Sequence, residues 1–85
     1  MTQFSYVIKD ELGIHARPAG MLAKEAKAFA STVTVAKGEA VAKATQLMKL
    51  MSLGVKKGDE VVVSADGADE EAAIAALKAF FEANL

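Results

Sequence analysis

The 85-residue chain has no cysteine and no tryptophan, and it contains one proline, one tyrosine and one histidine. Without cysteine it can form neither a disulfide framework nor a thiolate metal site, which fits a reducing compartment, and we expect a cytoplasmic protein. A lone histidine without cysteine partners argues against a metal centre, and we predict no metal and no cofactor. No apolar stretch approaches the roughly 20 residues that a membrane-spanning helix needs.

The chain also lacks a large excess of either charge, because 10 basic and 11 acidic residues leave a net charge of −1. This balance argues against electrostatic binding of nucleic acid. The shortage of aromatic residues removes a platform on which bases could stack. The length predicts one domain, residues 1–85, that buries only about 60% of its unfolded surface.

Hydrophobic periodicity predicts seven elements in the order β-α-β-β-α-β-α. The predicted strands lie around Phe4–Ile8, at Ser31–Ala36, at Ala40–Lys43 and at Glu60–Ala65. The predicted helices run from Ala16 to Phe29, from Ala44 or Thr45 through Met51, and onward from Asp69. Thr45 and Asp69 are the residue types that cap helices, and we assign them that role. The order indicates an α+β, two-layer domain with a sheet covered on one face by helices.

The only histidine lies in the octapeptide Gly13–Gly20, which has the features of a phosphate site. Pro18 suits the first turn of a helix, which places His15 at about the N-cap. The amides of Ala16 and Arg17 are then free, and with the positive end of the helix dipole they favour an anion. Arg17 adds a cation with forked donors that match phosphate oxygens. The alternative is that His15 merely caps a helix and Arg17 is solvated.

Three segments make the chain resemble the HPr family of bacterial histidine-containing phosphocarriers. They are Gly-Ile-His-Ala-Arg-Pro-Ala at 13–19, Leu47–Val55 at the predicted second helix, and Ser64–Glu70 at the entry to the last helix. The resemblance implies an open-faced β-sandwich with antiparallel strand order 1-4-2-3. It also implies that enzyme I phosphorylates His15 and that the group passes to the IIA domain of a sugar permease. A protein of this kind is a carrier, and by itself it is not an enzyme.

Partners need a docking surface beside His15, and methionine suits one that accepts several partners. The candidate docking residues are Met21, Leu47, Met48 and Met51, with Lys24, Lys27 and Lys49 as cations that steer acidic partners. The competing interpretation places these apolar side chains in the core, which we favour for Leu50. We favour docking for Leu47 and Met48, and leave Met21 and Met51 open.

Position 46 departs from many HPr proteins, which carry there a serine that a kinase phosphorylates. Gln46 has no hydroxyl to accept phosphate, so that regulatory role is in doubt, whereas His15 and Arg17 are intact. Two further functions stay open: a nitrogen-related paralogue, and a regulator that only binds. A stand-alone enzyme is disfavoured because one histidine in an exposed loop offers no second acid or base. We expect a monomer.

Overall fold

Four strands and three helices build the protein, whose residues 1–85 are all described by a computed structural model. The elements in chain order are β1 (Thr2–Val7), α1 (Ala16–Lys27), β2 (Thr32–Lys37), β3 (Ala40–Lys43), α2 (Leu47–Ser52), β4 (Glu60–Asp66) and α3 (Glu70–Asn84). The predicted order of elements is confirmed. No helix combines the length and the hydrophobicity that crossing a membrane would require.

The strands form one antiparallel sheet in the order β1-β4-β2-β3. β4 lies between β1 and β2, so Val63 is paired with Phe4 on one side and with Val35 on the other. This is the order that the family resemblance implied. Periodicity alone had settled only the hairpin of β2 and β3.

The core lies between one face of the sheet and the helices. Alternation in β2 and β4 buries every second side chain, as expected for strands with one covered face. The largest fully buried side chains are Phe81, Ile8, Leu22, Leu50, Leu77, Val35, Val61 and Val63. Phe81 of α3 meets the rings of Phe4 and Tyr6 edge-on at 5.7 and 5.6 Å between centroids, which fixes α3 on β1.

Several predicted element ends were wrong by one or two residues. β2 spans Thr32–Lys37 and not Ser31–Ala36, and β4 ends at Asp66 and not at Ala65. α1 ends at Lys27 and not at Phe29, because the amides of Ala28 and Phe29 turn back to carbonyls three residues earlier and tighten the last turn. β1 ends at Val7 and not at Ile8, whose amide donates to the Asp59 carbonyl at 3.0 Å, outside the β1–β4 ladder.

Both predicted side-chain caps were also wrong. α2 begins at Leu47, so the N-cap is Gln46 and not Thr45, and Gln46 makes no side-chain cap bond. Asp69 does occupy the N-cap of α3, but its carboxylate does not cap that helix. It accepts instead from the amides of Ala30 (2.8 Å) and Ser31 (2.9 Å) and from the Ser31 hydroxyl. Asp69 therefore ties the start of α3 to the connection between α1 and β2.

Candidate anion-binding site at the start of the first helix

His15 is the N-cap residue of α1, as the sequence predicts. Its backbone is extended (φ −101°, ψ −177°), and its carbonyl accepts the first helical hydrogen bond from the Ala19 amide at 2.9 Å. The imidazole makes no capping hydrogen bond and is partly exposed. The ring is therefore accessible at the helix end and is not consumed by holding the helix together.

The first turn of α1 presents unused donors. Neither the Ala16 nor the Arg17 amide makes a hydrogen bond, and Pro18 has none to offer. Arg17 is exposed and takes part in no ion pair, and no acidic residue lies in this turn. The dipole, two amides and one guanidinium thus favour an anion beside His15.

Gly13 sets the path of the loop that leads to His15. Its φ of +65° is left-handed, and a Cβ there would lie 2.1 Å from the Val55 carbonyl oxygen and 2.8 Å from the Lys56 Cα. The next residue, Ile14, is buried and donates its amide to the same Val55 oxygen at 3.3 Å. Only glycine lets the loop approach the segment after α2 this closely.

A surface depression surrounds the histidine, and it includes residues that sequence reasoning missed. It is lined by Asp10, His15, Arg17, Pro18, Met21, Ala83 and Asn84. The amides of Lys9 and Asp10 donate to the Leu85 carbonyl oxygen at 2.6 and 2.9 Å, which brings the end of α3 to the site. No local sequence pattern predicts that Ala83 and Asn84 line this depression, because only tertiary packing places them there.

The apolar candidate docking side chains are exposed. Met48 is 76% exposed and Met21 is 40% exposed, with Leu47 and Met51 close to the latter value, whereas Leu50 is fully buried. The core alternative is therefore wrong for the first four and correct for Leu50. α1 and α2 contact each other, so these four side chains belong to neighbouring helices.

The cations predicted to steer partners are also free. Lys24, Lys27 and Lys49 are exposed and take part in no ion pair. Lys24 and Lys27 lie in the last turn of α1, where positive charge suits the helix dipole. An apolar surface with unpaired cations is compatible with an acidic partner, and this assignment stays a prediction.

Comparison with known proteins agrees with the fold. Residues 2–83 match the family model described as the PTS HPr component phosphorylation site. The chain is 48% identical to the phosphocarrier protein HPr of Mycoplasma genitalium over 85 residues, covering 99% of this chain and 97% of the relative. It is 42% identical to that of Mycoplasma capricolum over 78 residues, covering 92% and 88%.

Solved structures show the same architecture. A Mycoplasma histidine-containing phosphocarrier protein superposes with a TM-score of 0.90 at 40% identity, covering 93% of this chain and 90% of that chain. HPr from Thermoanaerobacter tengcongensis gives 0.92 at 41% identity, covering 98% and 93%. An α+β sandwich with an accessible histidine at a helix N-terminus defines a phosphocarrier class. The chain belongs to the HPr family.

Some relatives assemble as dimers. Crh of Bacillus subtilis, 35% identical with a TM-score of 0.79 and coverage of 100% and 98%, is described as a swapped, intertwined dimer. An HPr dimer is also described for Thermoanaerobacter tengcongensis, at a TM-score of 0.77 and 41% identity, covering 98% and 95%. The monomer that we expected is therefore not confirmed by these relatives.

Proposed function

We propose that this chain is a cytoplasmic phosphoryl carrier that accepts its group on His15 from phosphorylated enzyme I and passes it to the IIA domain of a sugar permease. The observation that carries the proposal is the unoccupied donor set around His15. Two free amides and an unpaired Arg17 meet at the start of α1. The alternative, that His15 merely caps the helix, is not supported, because its imidazole makes no cap hydrogen bond.

The chemistry asks little of the protein beyond position and charge. A neutral imidazole attacks phosphorus with its ring lone pair, the new N–P bond forms, and the bond from phosphorus to the donor nitrogen of enzyme I breaks. The donor ring takes the electron pair of the broken bond and, with the proton on its other nitrogen retained, leaves as neutral imidazole, while the positive charge passes to the His15 ring. The exchange therefore needs no proton from water. Amides and guanidinium at the helix end stabilise the transferred oxygens, which is the main requirement of phosphoryl transfer.

Transfer to a second protein requires that the adduct stay accessible. His15 lines a surface depression and its side chain is partly exposed, so a histidine of a partner can reach the ring. The exposed docking side chains, Met21, Leu47, Met48 and Met51, would contact enzyme I and IIA in turn. Flexible thioethers support such repeated use of one surface.

The test is incubation with enzyme I and phosphoenolpyruvate followed by intact-mass measurement. We expect one acid-labile phosphate on the wild type and none on His15→Ala, whose fold should survive because the imidazole makes no cap bond. Phosphate on His15→Ala would overturn the assignment.

Arg17 is tested separately, because its role is to assist and not to accept. Arg17→Ala should be phosphorylated more slowly while its stability stays within about 0.5 kcal/mol, as is usual for an exposed side chain. Arg17→Lys retains the charge without the fork and serves as the matched variant. Equal transfer rates for all three proteins would show that the amides of Ala16 and Arg17 suffice.

A further inference from the structure

The connection between α2 and β4, residues 54–59, touches both parts of the proposed carrier surface. Through Val55 it accepts the Ile14 amide at 3.3 Å, next to His15. Through Gly58 it donates to the Ile8 carbonyl at 2.8 Å, where β1 leads into the His15 loop. At its other end Gly54 follows Leu53, the C-cap residue of α2, the helix that bears Leu47, Met48 and Met51. The position of the 54–59 connection therefore determines where α2 lies relative to the His15 loop.

One lysine from the end of β2 holds this connection at two points. The Lys37 Nζ donates to the Gly54 carbonyl at 2.9 Å and pairs with the Asp59 Oδ2 at 3.0 Å. The same Oδ2 accepts the Lys56 amide at 2.8 Å, which closes the turn. Lys37 and Asp59 are each about one-third exposed, at 34% and 33%, so water competes for these contacts less than at a fully exposed pair.

We propose that Lys37 is a positioning residue for partner docking, acting by clamping Gly54 and Asp59 so that α2 and the His15 loop keep one relative placement. This inference rests on the proposed function. It is distinct from it because the polar contacts of the Lys37 ammonium are with Gly54 and Asp59 and not with His15.

Geometry separates this contact from an ordinary surface ion pair. A single exposed pair contributes little, since ordering two flexible chains offsets the attraction. Here one ammonium uses two of its three donors on acceptors that flank the same connection. The Asp59 carboxylate is held by a backbone amide as well, and the Lys56 bond first and Lys37 second keep its pKa below the ordinary value. The acceptor is thus in place before Lys37 binds it.

Lys37→Met removes the ammonium and keeps most of the stem, and Lys37→Arg tests rescue by a cation that reaches both acceptors. Lys43→Met is the matched control, because Lys43 is exposed on the neighbouring strand of the same sheet and makes no ion pair. Asp59→Asn keeps an oxygen for the Lys56 amide and removes only the charge. Each variant is compared with the wild type well below its melting temperature, where all are fully folded.

Steady-state phosphorylation by enzyme I and phosphoenolpyruvate separates docking from chemistry. For Lys37→Met we expect the KM of enzyme I for this chain to rise about three- to tenfold while kcat stays within about twofold, since docking weakens and the reacting groups are untouched. Asp59→Asn should act in the same direction, the double variant should add little to either, and Lys37→Arg should restore most of the affinity. A change in stability alone would leave both constants unchanged under these conditions.

Amide hydrogen exchange gives a readout that needs no enzyme. Lys37→Met should speed exchange at Ile14 and Gly58, whose hydrogen bonds the connection supports, and Lys43→Met should not. If KM and the exchange rates of Lys37→Met equal those of Lys43→Met, the inference is wrong. If the wild type takes no phosphate at all, the proposed function fails, and the exchange rates still decide whether Lys37 positions the connection.

Discussion

The two long helices of this protein start in opposite ways. α3 begins with three consecutive acids, Asp69, Glu70 and Glu71, and the Glu70 carboxylate accepts the Gly67 amide at 3.2 Å. α1 begins with His15 and has no acid in its first turn. Since carboxylates at a helix N-terminus offset the positive end of the dipole, α3 supplies its own anion. α1 leaves that place to an anion from outside.

The residues that precede these helices make the contrast sharper, because they are alike. Gly13 lies two residues before the N-cap of α1, and Gly67 lies two residues before that of α3. A Cβ at either position would collide with backbone, at 2.1 Å from the Val55 oxygen or at 2.7 Å from the Ser31 Cα. Both helix starts are thus fixed by close packing. The charge of the first turn is what distinguishes the start of α1, the proposed anion-binding site, from the start of α3, which has only a structural role.

Gly13→Ala should have the largest effect, and it tests whether close packing fixes the start of α1. Left-handed backbone and the overlap with Val55 together should lower the free energy of unfolding by about 2–4 kcal/mol. Urea denaturation measures this, and Gly38→Ala is the matched control, since Gly38 has a similar φ of +59° and open space around its Cβ position. Equal losses for the two variants would mean that the conformation matters and the approach to Val55 does not.

Ala16→Glu tests the contrast in charge by giving α1 the acid that α3 already has. Ala16 is exposed at the first helical position, so the glutamate should stabilise the domain by about 0.3–1 kcal/mol through the dipole. It should slow phosphoryl acceptance by about fivefold, because like charges a few ångströms apart repel by about 1 kcal/mol in water.

Ala16→Gln controls for the size of the new side chain in that experiment. The rate of phosphoryl acceptance by Ala16→Gln should stay near that of the wild type. Raising the salt concentration should reduce the difference in this rate between Ala16→Glu and Ala16→Gln. A glutamate variant that accepts phosphate at the glutamine rate would show that the charge of the first turn does not define the site.

At the start of α3 the substitution to test is Asp69→Asn, with the free energy of unfolding measured as a function of pH. The bond from the Ser31 hydroxyl, then that from the Ala30 amide, keep the pKa of Asp69 below its ordinary value. The stabilisation is therefore complete above that ordinary value, near pH 4, and is lost as pH falls through the lower folded pKa. Wild-type stability should fall more steeply below about pH 4 than that of Asp69→Asn.

The control for acid sensitivity is Glu82→Gln. Glu82 is exposed on α3 and makes no hydrogen bond or ion pair. Its removal should leave the wild-type slope below pH 4 intact. An Asp69→Asn protein with that same slope would locate the acid sensitivity in another carboxylate.

The features that could be predicted from the sequence are those that depend on residues close together in the chain. Alternation gave the strands and the helical repeat gave α1, because one covered face requires those periods. His15, Arg17 and the free amides could be placed in advance, since they lie within one turn of a helix whose start Pro18 marks. The strand order came from family resemblance, because periodicity does not say which strand pairs with which.

The features missed at Asp69 and in the His15 depression depend on residues distant in the chain. Asp69 has the side chain of a cap, but Ala30 and Ser31 lie within its reach in the folded domain and take its carboxylate. Asn84 enters the His15 depression because Leu85 accepts bonds from the loop. A propensity scale counts only neighbours in sequence, so it cannot anticipate such competition.

The start of α2 offers the smallest test, because it has neither an external anion to bind nor a cap of its own. Gln46 has the extended backbone of an N-cap (φ −107°, ψ 94°) and makes no side-chain cap bond. Gln46→Ser places a hydroxyl within reach of a free first-turn amide and should stabilise the domain by about 0.5–1 kcal/mol in urea denaturation. Gln46→Ala is the control and should match the wild type, since the glutamine amide caps nothing. Phosphoryl acceptance on His15 should be unchanged in both variants. If serine is no more stabilising than alanine, α2 is held by the burial of Leu50 alone, and capping has no part in how this helix begins.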